Sequence, residues 1–60
     1  MQITTKELSG ISELMECEKN LISKFNNYAM QTNDIALKEK YEHIVKAHQN
    51  HLETLYQQLN

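Results

Sequence analysis

Only one place in this chain of 60 residues offers a clear break between helices. Proline is absent, the single glycine is Gly10, and turn-forming residues cluster once, at Thr32-Asn33-Asp34. Proline and glycine are the strongest breakers of regular structure, and clustered Thr, Asn and Asp are the next signal. One break predicts two segments joined by one turn. On both sides of it, apolar residues recur at helical spacing. Leu8, Ile11, Met15, Ile22, Phe25 and Ala29 form the first stripe, widened along one edge by Leu14, Leu21 and Tyr28. Leu37, Tyr41, Ile44, Leu52, Leu55 and Leu59 form the second.

The ends of the segments are marked as well. Thr4-Thr5-Lys6-Glu7 fits a capping box, with Thr4 as N-cap and Glu7 three residues on. Asn33 is suited to the left-handed conformation that ends a helix, and Asp34 to capping the next one. The reading is a helix over about 5–31, a turn over about 32–34 and a helix over about 35–58. Gly10 lies inside the first helix and costs about 1 kcal/mol relative to alanine. A connection of two or three residues forces the helices antiparallel, so residues 1–60 make a single all-α helical hairpin.

A two-helix hairpin buries one face of each helix, too little to offset the chain entropy lost on folding. Self-association is therefore expected: a homodimer, or a higher homo-oligomer, built as an antiparallel four-helix bundle. Other partners are less favoured. A net charge of −2 with Lys and Glu interspersed, and no arginine, gives no basic patch for nucleic acid. No apolar run approaches the roughly 20 residues of a membrane span. The start, Met1-Gln2-Ile3-Thr4-Thr5-Lys6-Glu7, lacks the apolar core of a signal peptide. The lone Cys17 suits a reducing compartment. These features read as a soluble chain made in the cytoplasm.

The chemistry in the sequence lies in His48-Gln49-Asn50-His51. At about 100° per residue, His48 falls near the centre of the second apolar arc and His51 at its edge. The residue at the centre of the first arc is Glu18, a carboxylate among apolar neighbours. Counted from Asn33, Glu18 is fifteen residues back and His48 fifteen forward, so the two should sit level across the hairpin. Phe25 and Tyr41 match at eight residues each side, and His51 is level with Met15. A two-fold dimer would gather two Glu18 and two His48 in one layer, with His51 at its margin.

Two readings of that layer compete. In one, a hydrogen-bonded Glu–His pair satisfies both groups and fixes the register of the dimer. In the other, Glu18, His48 and His51 hold Zn, Fe or Mn through carboxylate oxygen and imidazole nitrogen. Ferritin-like di-iron bundles use a Glu on one helix and Glu-x-x-His on the next. Here the position three before His48 is Val45, so the bridging carboxylate is missing, and Glu42 belongs to the polar face. A di-iron oxidase site is disfavoured. A catalytic acid–base pair has the right residue types, yet no nucleophile or substrate pocket can be inferred, so no enzyme activity is expected.

The remaining chemistry-bearing side chains read as ordinary surface and core. Cys17 is roughly opposite the apolar arc, a surface thiol. Tyr28, Tyr41 and Tyr56 belong at the core edge, Met15 and Met30 fill gaps, and His43 is solvated. Lys38-Glu39-Lys40 with Glu42 makes an exposed mixed-charge face. A generic helical adaptor, offering its apolar edge to another protein's helix, is a further and weaker reading.

Taken together, several stretches resemble the small spore coat protein F-like family of endospore-forming bacteria. These are Thr4-Thr5-Lys6-Glu7-Leu8, Glu18, Lys24-Phe25, Tyr28-Ala29, Asp34 with Leu37-Lys38, and His48-Gln49-Asn50-His51 followed by Leu55. The resemblance covers almost the whole chain. One departure is Ile35, where the family pattern has proline after the aspartate; it bears only on the rigidity of the turn. The resemblance implies a ferritin-like helical bundle with a role in, or associated with, the spore coat, and other coat proteins as further partners. It implies no enzyme activity.

Overall fold

The computed structural model describes residues 3–59. Met1 and Gln2, part of the stretch read as lacking a signal sequence, lie outside the described residues, as does Asn60. Two helices make up the fold: α1 (Thr5–Gln31) and α2 (Ile35–Gln57), with no strand among the described residues. They form a slender antiparallel hairpin of 46 × 14 × 10 Å. Its length is close to the roughly 40 Å expected of the 27-residue α1 at 1.5 Å per residue. No helix among the described residues is long and apolar enough to cross a membrane.

Side chains satisfy the backbone groups that each helix start leaves open. Thr4 Oγ1 accepts the Glu7 N–H at 3.1 Å, and Glu7 Oε1 accepts the Thr4 N–H at 3.2 Å. That reciprocal pair is the capping box the sequence implies. Asp34 Oδ1 caps α2 by accepting the Leu37 N–H at 3.1 Å. The turn itself differs from expectation. Asn33 does not take the left-handed conformation, because no residue among those described has positive φ. Thr32 and Asp34 are both extended, with ψ of 142° and 112°. The Thr32 N–H donates to the Tyr28 carbonyl at 3.1 Å, and Thr32 Oγ1 accepts the Asp34 N–H at 3.2 Å. Side-chain bonding by Thr32 holds the turn, so a left-handed residue is not needed.

The core is thin. Met15, Ala29 and Val45 are the buried apolar residues, and Ile11, Ile22, Phe25, Tyr41, Leu52 and Leu55 are half-buried. Met30 does not fill a gap: it is 80% exposed. It follows Ala29 by one residue, and a rotation of about 100° carries it out of the helix contact. The deepest residue of α2 is Val45, about 60° round from His48 and so toward one side of the second arc.

An edge of each helix stays uncovered. Leu14 is 55% exposed, and Tyr28 and Leu37 are exposed as well. The hairpin presents 4840 Å² to solvent, whereas a compact monomer of its 7.1 kDa would present about 4,100 Å². The excess is close to the roughly 800 Å² that each partner buries in a stable interface.

Candidate functional site

Glu18 is the central residue of α1, and the antiparallel fold sets it against α2 two turns before its end. His48 Nδ1 lies 2.9 Å from Glu18 Oε2, and His51 Nδ1 lies 3.5 Å from the same oxygen. The three residues proposed from the sequence are therefore brought together. An ionised carboxylate only accepts, so in this arrangement the hydrogen sits on Nδ1 of His48. No buried side-chain nitrogen or oxygen among the described residues lacks a partner. The pair thus meets the condition under which polar groups are tolerated in a core.

Aromatic packing orients the rings. Phe25 stacks nearly parallel on His48, with centroids 6.5 Å apart and planes 10° from parallel. Phe25 also packs against Tyr41 at 5.9 Å and edge-on against Tyr28 at 5.6 Å. The pairing of Phe25 with Tyr41, inferred from equal distance to the turn, is therefore present. On the other side of the layer His48 meets His51 edge-to-face, at 5.7 Å and 84°. His48 is held from both flanks. His51 is held from one, and its side chain is 66% exposed against 15% for Glu18.

One donor atom from each of Glu18, His48 and His51 lies within 4.8 Å of the others. A tetrahedral ion with bonds of about 2.0–2.1 Å needs ligand atoms roughly 3.4 Å apart. The Glu18–His51 separation of 3.5 Å already meets that spacing. The Glu18–His48 separation of 2.9 Å is a hydrogen-bond length, and it must open by about 0.5 Å for an ion to enter. The grouping joins one hydrogen bond and one longer contact, and its three donor atoms would have to shift to share an ion.

The surroundings limit what such a site can do. Val45, one turn before His48, is apolar and buried, where a ferritin-like di-iron site would carry its second carboxylate. Glu42 and His43 are exposed on the far side of α2, and Cys17 is exposed on α1. A shallow hollow beside Glu39, Glu42, His43 and Lys46 is formed by a single helix. A groove of about 270 Å³ opens directly onto the cluster, lined by Leu14, Glu18, His51, Thr54 and Leu55. Sequence reasoning did not identify this groove. The exposed edge residue Leu14, about one turn before Glu18, was the available signal.

No protein-family model matches this chain, and no curated protein or solved structure does so. The functional reading therefore draws on the residues and their geometry.

Proposed function

We propose that the chain is a structural, non-catalytic hairpin. Two copies pair into a four-helix bundle that takes part in assembly of the bacterial spore coat, or is associated with it. The observation that carries the assembly half is the uncovered apolar edge of both helices, with Leu14, Tyr28 and Leu37 exposed; the surface of the hairpin as a whole exceeds that of a compact monomer by about what one partner contributes to a stable interface. The coat half is supported by the sequence resemblance, including His48-Gln49-Asn50-His51 with Asp34 and Leu37-Lys38. On this reading the Glu18–His48 pair is a buried polar layer that fixes the register of the bundle.

Sedimentation equilibrium at micromolar concentration tests the assembly half, with a dimer or larger species expected. A folded monomer under those conditions overturns it. The coat half is tested by fractionating spores of an endospore-forming host that expresses the tagged chain. Recovery in the coat extract is expected; recovery only from the mother-cell lysate refutes it.

The donor grouping at Glu18, His48 and His51 favours a second reading, a metal-binding ferritin-like bundle that takes Zn, Fe or Mn. Protein purified without chelators or nickel resin should then carry metal, and His48→Ala should lose it. Metal-free protein whose melting is unchanged by all three ions would remove this reading.

A further inference from the structure

We propose that the metal centre at Glu18, His48 and His51 is completed by a second copy of the chain. A divalent ion of the zinc class then both occupies the layer and tightens the dimer. The proposal rests on the metal-binding reading of the same residues and adds who closes the site.

Three observations carry it. First, the site faces the uncovered side of the hairpin. Of its members His51 is the open one, 66% exposed, and it shares its groove with Leu14 and Leu55. Leu14 itself is 55% exposed. Whatever covers the apolar edge therefore also covers the ion site.

Second, the site lies at mid-length. Glu18 is the midpoint of Thr5–Gln31. A two-fold axis crossing the hairpin at its middle brings mid-length residues to their own counterparts, whereas residues near the ends meet different ones. An axis along the bundle also leaves like residues level. In either arrangement the Glu18 layer of one copy is level with that of the other.

Third, the donor set of one copy is incomplete. Two imidazoles and one carboxylate leave a four-coordinate ion with one open position. Both rings lie against Glu18 Oε2. A carboxylate oxygen from the facing layer is the donor type that the open position takes. Closing the dimer without an ion sets two carboxylates near each other as water leaves, which is unfavourable for like charges. The ion removes that penalty. On binding, it takes the place of the hydrogen on His48 Nδ1, and the neutral ring carries its hydrogen on Nε2 instead.

The test uses the full chain, untagged and stripped of metal, with zinc sulfate as the probe and iron(II) and manganese(II) salts alongside. Native mass spectrometry reads the bound ions, and sedimentation equilibrium reads the dimer constant with and without zinc. The expected result is about one ion per chain and a dimer tightened by about tenfold or more. His51→Ala changes a side chain that is exposed in the hairpin, so the variant should fold, and its dimer constant, whatever its metal-free value, should no longer respond to zinc. Glu18→Gln keeps the size of the side chain and should lose it too. Zinc bound with an unchanged dimer constant overturns the shared centre and leaves the metal-binding reading standing. A full zinc response in His51→Ala also overturns it. No binding of any of the three ions removes both.

Discussion

Leu14 gives the sharpest test of what covers the open edge. The substitution Leu14→Gln removes the apolar side chain while keeping a good helix former, so α1 should persist. Leu14 is 55% exposed in the hairpin. Complete burial of a leucine is worth about 1.5–3 kcal/mol, so covering the exposed portion is worth about 0.8–1.6 kcal/mol per copy. A two-fold interface contains the residue twice, giving about 1.6–3.3 kcal/mol per dimer. At 1.4 kcal/mol per factor of ten, the dimer should weaken by about 15- to 250-fold.

Sedimentation equilibrium across a dilution series reads that change, and far-UV circular dichroism checks that helix content survives. Met30→Gln is the matched control. Met30 is 80% exposed and so loses nothing within the hairpin, and it lies about 160° round α1 from Leu14. Its variant should leave the dimer constant unchanged. If Leu14→Gln dimerises like the parent, or Met30→Gln weakens the dimer as much, the second copy does not sit on the Leu14 edge and the reasoning fails.

Three other outcomes follow from the geometry. Glu18→Ala strands the His48 ring in a layer where its side chain is only 22% exposed, and should destabilise the folded protein by about 1–3 kcal/mol in thermal or urea melts. Unchanged melting would show that the pair contributes nothing net. A Cβ added at Gly10 would meet nothing within 4 Å, so Gly10→Ala should stabilise α1 by up to about 1 kcal/mol, seen as a higher midpoint; a lower one would reveal a partner packed against that position. Asp34→Ala removes the cap on the Leu37 N–H and should cost about 1 kcal/mol, while Asp34→Asn should cost little; equal losses would point to charge rather than capping.

Much of the fold was legible because its determinants are local. The capping box at Thr4 and Glu7, the cap at Asp34 and the helix limits follow from short-range hydrogen-bond rules. The meeting of Glu18 with His48 was legible because a tight turn converts equal sequence distance into equal height. What escaped was which part of each apolar arc the hairpin itself buries. The α2 arc was centred on His48, yet Val45 lies deepest, since α1 covers only one side of the arc. Periodicity marks an apolar face and does not say how much of that face a second helix can cover. Met30 escaped for a simpler reason: its apolar side chain sits off the arc, and composition alone suggested a packing role. At Asn33 a residue suited to a left-handed turn was present, but the hydroxyl of Thr32 provided another solution.

The matched register also orders the folding of the chain. Joining Phe25 to Tyr41 closes a loop of 16 residues, and joining Glu18 to His48 closes one of 30. Going from the first closure to the second costs only about 0.6 kcal/mol of additional chain entropy. The hairpin can thus zip outward from Thr32, through the aromatic group and onto the imidazole that Phe25 stacks against. The carboxylate and the two rings come together only after about half of the zip has closed. Any ion or partner that reads this layer therefore selects hairpins zipped at least to mid-length over those closed only near the turn.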